Sequence, residues 1–146
     1  MKVLLINPPY PFEESPTPPF GLMSLAAYLE KQGIEVKIDD YIINPCTDET
    51  IRENLAAFRP DVIGATGVTM NVKKGLAILK KCREFMPSAV TVMGGPHVTF
   101  DAEAVLSGNP FVDYIIRGEG ELTFVELLDA LRSGLPADGI QGLSFR

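Results

Sequence analysis

Four short stretches hold the residues whose types could contact a ligand: Asn7-Pro8-Pro9-Tyr10, Thr66-Gly67-Val68-Thr69, Gly94-Gly95-Pro96-His97 and Arg117-Gly118-Glu119-Gly120. Their amide, hydroxyl, guanidinium and carboxylate groups are interleaved with glycines, which let a ligand lie close to backbone. None of the four carries a self-sufficient catalytic constellation, so together they point to binding. His97 is the only histidine. A lone histidine is more often structural than catalytic, and it is kept as a candidate because it follows an apolar run. No second histidine or thiolate stands near it, so metal coordination by protein groups is not expected. Each stretch also has a plainer explanation. Thr69 or Asn71 could cap a following helix. Gly94-Gly95-Pro96 could be a tight turn. Glu121 suits the start of a helix, where the dipole favours an acid. Glu119, between two glycines, is harder to explain by structure alone.

Each stretch follows a short apolar run: Val3-Leu4-Leu5-Ile6, Val62-Ile63-Gly64-Ala65, Val90-Thr91-Val92-Met93 and Tyr114-Ile115-Ile116. Runs without polar alternation suit strands covered on both faces, as in parallel sheets. Val36-Lys37-Ile38-Asp39 alternates and predicts a less buried strand. Between the runs the period becomes helical. Leu22, Leu25, Ala26 and Leu29 recur at i, i+3, i+4 and i+7, with Gly33 as a stop. Ile51, Leu55 and Phe58 repeat the pattern up to Pro60. Val72, Leu76, Leu79, Cys82 and Met86 make a longer stripe, and Leu122, Val125, Leu128 and Leu131 the last, closed by Gly134 and Pro136. A short helix over Ala102–Leu106 and a sixth strand over Ile140–Phe145 complete the expectation. The alternation predicts a single α/β domain over 1–146: a doubly wound, Rossmann-like or flavodoxin-like, mostly parallel sheet of five or six strands with helices on both faces. Asn7–Phe20 holds six prolines and can be neither helix nor central strand. It predicts a long, stiff loop after the first strand, and such loops are often functional. In open α/β sheets the ligand binds beyond the carboxyl ends of the strands, where all four stretches fall.

Composition narrows the occupant. The net charge of −6 argues against nucleic acid, which needs clustered Lys and Arg. Lys73, Lys74, Lys80, Lys81 and Arg83 read as the wet face of one helix. Two cysteines, Cys46 and Cys82, form no metal or CxxC pattern and suggest free thiols in a reducing cytoplasm. No stretch approaches the roughly 20 apolar residues of a membrane span, and no secretory leader is expected, since Met1–Ile6 is too short and shows no small-residue cleavage site. Familiar α/β sites also fail. The first strand is followed by Asn7-Pro8-Pro9-Tyr10-Pro11, not by G-x-G-x-x-G or G-x-x-x-x-G-K. A phospho-receiver would need an aspartate where Thr66 ends the third strand. No G-x-S-x-G nucleophile elbow occurs. Another flat or phosphorylated ligand, such as flavin mononucleotide, stays open, although no Ser/Thr-rich phosphate loop follows the first strand.

Taken jointly, Asn7-Pro8-Pro9, Pro19-Phe20-Gly21-Leu22 with Leu25-Ala26-Tyr28-Leu29, Pro60-Asp61-Val62-Ile63-Gly64, Gly94-Gly95-Pro96-His97 and Asp113–Glu121 resemble one family. It is the cobalamin-binding domain that precedes the catalytic barrel in radical S-adenosylmethionine (SAM) enzymes. The resemblance spans nearly the whole chain. It implies a corrin over the strand ends, with the nucleotide tail beside the sheet along Thr66, Gly67, Val68 and Thr69 and past Gly94 and Gly95. The proline-rich loop and the Arg117–Glu121 turn would frame the corrin. It implies no histidine below cobalt, since the D-x-H-x-x-G motif of other cobalamin domains is missing. The CxxxCxxC motif is also missing, so the [4Fe-4S] cluster and S-adenosylmethionine are expected only in an absent C-terminal barrel, which would be this domain's partner. The implied function is the cobalamin module of an enzyme of methyltransferase type. The alternative is a cofactor-free scaffold that docks on its own barrel through an apolar patch.

Overall fold

The computed structural model describes residues 1–13 and 15–146. Six strands form one sheet: β1 (Lys2–Asn7), β2 (Glu35–Asp40), β3 (Val62–Thr66), β4 (Val90–Gly94), β5 (Tyr114–Ile116) and β6 (Leu143–Phe145). Their order is β2-β1-β3-β4-β5-β6. The first five are parallel, and β6 pairs antiparallel with β5. The helices are α1 (Phe20–Lys31), α2 (Asp48–Phe58), α3 (Val72–Phe85), α4 (Pro96–Phe100), α5 (Ala102–Gly108) and α6 (Glu121–Ser133). This is the doubly wound sheet expected from the alternating periods.

The strand side chains sort to two faces. Leu4, Ile6, Ile63, Ala65, Met93 and Ile115 pack with α2, α3 and α5 through Ile51, Leu55, Leu79, Cys82 and Val105. Val3, Leu5, Val62, Val92 and Ile116 pack with α1 and α6 through Leu22, Leu29, Phe124, Leu127 and Leu128. Covering on both faces explains why the inner strands carry no polar alternation. At the edge, β2 buries only Asp39 of its six residues, as its alternating sequence predicts.

Strand order reverses at β1. The chain leaves β1 for β2 on one side, then returns to β3 on the other. Right-handed crossovers therefore send α1 and α3 to opposite faces, and the loops after β1 and β3 part to leave a crevice.

One local reading changes. Gly94-Gly95-Pro96 is no simple tight turn: Pro96–Phe100 forms a short helix, because Pro96 presets the φ of a first helical turn. Glu121 opens α6, as its place suggested, and Glu119 precedes the Gly120 N-cap. The residues between β1 and α1 form no helix or strand where described, as six prolines require, and Glu14 in that stretch lies outside the described residues.

Candidate functional site

A cavity of about 550 Å³ opens at the carboxyl ends of β1, β3 and β4 and runs down the α1/α6 face of the sheet. Its volume lies within the roughly 300–1,000 Å³ of small-molecule sites. Strand register gives it two tiers. Leu5, Gly64 and Val92 form the inner row, since Leu5 is paired with Gly64 and Gly64 with Val92. Thr66 and Gly94 are paired two residues further out, and Asn7 stands at the same level on β1. Phe124 of α6, Leu22 and Leu25 of α1, and Ile116 of β5 complete the apolar wall.

Gly64 sets how closely α6 lies on the sheet. A Cβ there would stand 3.3 Å from Leu5 Cδ2 and 3.6 Å from the Phe124 ring, so any side chain would press on both. Leu5, Val92 and Phe124 are almost fully buried and form the floor of the cavity. Glycine weakens a strand interior, so its place among Val62, Ile63 and Ala65 marks a site of close approach. That was the available sequence signal for the inner tier. Leu5, Val92, Ile116 and Phe124 gave none, because a cavity wall and an ordinary core share one apolar pattern.

The remaining glycines divide by role. Gly94 borders open space, its nearest neighbour for an added Cβ being Ile116 O at 3.8 Å. Gly67 and Gly95 instead fit two backbones together. A Cβ on Gly95 would meet Gly67 N and O at 2.7 Å and Thr66 Oγ1 at 2.8 Å, and Gly95 has φ +101. Gly67 N–H donates to Gly94 O at 3.0 Å, and His97 N–H donates to Gly67 O at 3.2 Å. The close approach at Gly67 is thus made by the next loop of the same chain. Gly118, at φ +71, turns the chain after β5, and its N–H donates to Thr99 Oγ1 at 3.0 Å. Thr99 in turn donates to Gly95 O at 3.1 Å. Thr99, with no sequence signal of its own, therefore joins two rim loops and lines the cavity.

Asn71 fixes a third loop. It is 2% exposed; its Nδ2 donates to Pro8 O at 3.2 Å and its Oδ1 accepts from Val68 N–H at 2.9 Å. Neither Thr69 nor Asn71 caps α3 with its side chain. Asn71 instead ties the proline-rich loop to the loop after β3. Asn7 is buried, and its Nδ2 donates to Asp40 Oδ1 at 3.0 Å. Because a carboxylate only accepts, this bond fixes which end of the Asn7 amide meets Asp40.

The cavity brings together Asn7, Tyr10, Thr66, Val68, Gly94, Gly95, Pro96, Gly118, Glu119 and Gly120 from the four sequence stretches. Pro8, Pro9, Gly67, Thr69, His97 and Arg117 are not in its wall. His97 Nδ1 is 3.2 Å from Thr69 Oγ1, and its Nε2 is 3.9 Å from Asp101. Pro8 packs against Gly75, where a Cβ would meet its ring at 3.1 Å. Arg117 is exposed and ties β5 to the last loop through its N–H to Gly142 O at 2.8 Å. Glu121, in the first turn of α6, accepts from Ser24 Oγ of α1 at 3.1 Å, so it links the two helices that flank the mouth. The mouth is also ringed by exposed apolar groups: Phe20 is 73% and Phe100 91% exposed. Among the described residues no cluster of three or more His, Cys, Asp or Glu could hold a metal. Among the described residues no helix is long and apolar enough to cross a membrane.

Residues 14–128 match the family model of the B12 binding domain. The chain is 38% identical over 154 aligned residues to an uncharacterized methyltransferase of Pyrococcus horikoshii, covering 100% of this chain and 33% of that protein. It is 32% identical over 153 residues to the anaerobic magnesium-protoporphyrin IX monomethyl ester cyclase of a Synechocystis strain, covering 100% of this chain and 31% of that protein. Solved structures of the radical S-adenosylmethionine methyltransferase TsrM from Kitasatospora setae superpose with TM-scores of 0.86 and 0.83 at 25% identity, over 97% of this chain and 28% or 26% of TsrM. One holds tryptophan and a SAM analog, the other cobalamin and a [4Fe-4S] cluster. The chain thus spans about a third of the length of the relatives it matches.

Proposed function

The chain belongs to the B12-binding domain family, and from that premise we propose that it holds cobalamin with the nucleotide tail in the cavity and the corrin over the strand ends. The observation that carries this is the cavity at the strand ends, left open at Gly94, where no side chain stands. Its floor is apolar and suits a flat aromatic base. Its outer tier offers Asn7 and Thr66, whose amide and hydroxyl suit the polar part of a nucleotide. Tyr10, Val68, Gly95, Pro96, Gly118, Glu119 and Gly120 border the mouth, and Phe20 and Phe100 present apolar surface there. Pro8, Pro9, Gly67, Thr69, His97 and Arg117 act on the cofactor by fixing the loops that touch it.

The residues of this chain would hold the corrinoid with no histidine ligand to the cobalt. The residues after β1 are Asn7-Pro8-Pro9, and His97 faces Thr69 and Asp101. When bound, cobalamin carries the transferable group, and that chemistry belongs to the cofactor. The chain's own residues would bind and orient the corrinoid and keep water from it. The full protein is a radical SAM enzyme of methyltransferase type, whose barrel supplies the [4Fe-4S] cluster and S-adenosylmethionine. Support for the longer protein is that the matched relatives are about three times this length. The match to a cyclase supports a second reading, a ring-forming radical enzyme on the same cofactor.

The test is to mix the chain with hydroxocobalamin and read the corrin spectrum after gel filtration. Retention of one corrinoid per chain at micromolar protein is expected. A folded chain that elutes colourless would reject the cofactor and favour the scaffold reading.

A further inference from the structure

Resting on the cobalamin reading, we propose that Asp40 is a positioning residue: it turns the Asn7 amide so that Oδ1 faces the cavity, and the rim there takes a neutral N–H or O–H donor of the corrinoid. Asn7 ends β1 and is paired with Asp40, which ends β2, so the two side chains share one face of the sheet. Asp40 Oδ1 accepts from Asn7 Nδ2 at 3.0 Å and from Ile42 N–H at 3.0 Å. The turn behind it is tied down as well, since Asp40 O accepts from Asn44 N–H at 3.1 Å and from Asn44 Nδ2 at 2.9 Å. Asp40 itself is not in the cavity wall, whereas Asn7 is. Asn7 is 7% exposed, and its Oδ1 meets no donor among the described residues. Only Asp39 Oδ2 and Arg83 Nε are wholly buried without a partner among those residues, so Asn7 Oδ1 opens to the cavity it lines. Glu119 and Glu121 of the same wall carry carboxylates, which only accept when ionised. Among the described residues no Lys, Arg or His lines it, and the Thr66 and Tyr10 hydroxyls can turn either way. Cobalamin offers donors of the required kind in its corrin carboxamides and its ribose hydroxyls.

Dissociation constants are read from corrinoid absorbance for cobalamin, tailless cobinamide and the cobalamin monocarboxylic acids, each with one corrin carboxamide hydrolysed. Asp40→Ala frees the Asn7 amide to turn and is expected to weaken cobalamin by about tenfold. Asp40→Asn keeps an oxygen for Asn7 and Ile42 and should recover most of that loss. Because Asp40 acts through Asn7, Asp40→Ala should cost nothing further in an Asn7→Ala chain; a residue that only shapes the turn would cost the same in both backgrounds. A loss shared by cobinamide assigns the donor to a corrin carboxamide, and one monocarboxylic acid should then bind wild type about tenfold more weakly than cobalamin. A loss confined to cobalamin assigns the donor to the ribose. Full additivity of the two substitutions overturns the positioning role, as does an unchanged cobalamin affinity in Asp40→Ala with circular dichroism showing a native fold. A loss shared by cobinamide, with every monocarboxylic acid binding as tightly as cobalamin, overturns the choice of a neutral donor. Failure of wild type to bind any of the probes overturns the cobalamin reading itself.

Discussion

Gly95→Ala separates a glycine that holds two loops together from one that makes room for a ligand. Gly95 sits at φ 101, ψ 171, a region essentially confined to glycine. Holding an L-residue there costs about 1–3 kcal/mol. The new Cβ would also stand 2.7 Å from the Gly67 backbone, where no flexible side chain can yield. Overpacking of that kind typically adds about 1–3 kcal/mol. The two contributions sum to roughly 2–6 kcal/mol, which lowers the urea midpoint by about 1–3 M for a slope near 2 kcal/mol/M. The assay is urea unfolding of the ligand-free chain by circular dichroism. Gly94→Ala is the control. Its Cβ would meet only Ile116 O at 3.8 Å, so it should be neutral or stabilising by about 0.4–1 kcal/mol, yet weaken cobalamin because the methyl enters the cavity. A Gly95→Ala loss below about 1 kcal/mol would refute the loop-locking argument.

Three other outcomes follow from the same geometry. Asn71→Ala leaves Pro8 O and Val68 N–H without their buried partner, so unfolding free energy should fall by about 1–3 kcal/mol and the proline-rich loop should become more protease-sensitive; unchanged proteolysis would count against the tie. Burial, reinforced by nearby Asp39, pushes the Cys82 thiol up to about 12, and burial also raises Tyr41. Both groups stay protonated when folded and ionise more readily unfolded, so stability should be flat at neutral pH and fall between about pH 9 and pH 12. A thiol reagent at pH 8 should accordingly label exposed Cys46 in the native chain and reach Cys82 only after denaturation. With cobalt reduced to the paramagnetic divalent state, the electron paramagnetic resonance spectrum should lack nitrogen splitting from an axial histidine and be unchanged in His97→Ala. Splitting that disappears in the variant would assign His97 to the metal.

The doubly wound sheet was legible because helix and strand impose different periods on apolar residues, and most of the runs stopped at or just before a Gly or Pro. The position of the site followed from topology, since ligands gather where strand order reverses. Its depth was less legible. Gly64 interrupts a β-branched strand and could be read, but Leu5, Val92 and Phe124 look like any core residue until helices α1 and α6 are placed above them. The glycine pair at 94 and 95 misled in a useful way. Its members are adjacent and alike in sequence, yet Gly94 opens the cavity and Gly95 locks a loop, a difference set by φ and by what lies opposite. His97 and Thr69 follow strand ends as site residues do, but their side chains meet each other outside the cavity wall. Thr99 was invisible because its role is to reach a loop 19 residues further along the chain.

The most direct measurement is the amide spectrum of the ¹⁵N-labelled chain during titration with cobalamin. The largest shifts should fall on Gly64, Thr66, Gly94 and Gly118, around the α1/α6 side of the strand ends. Shifts confined to α2, α3 and α5, or none at Gly64 under saturating cobalamin, would contradict placement of the nucleotide tail in this cavity.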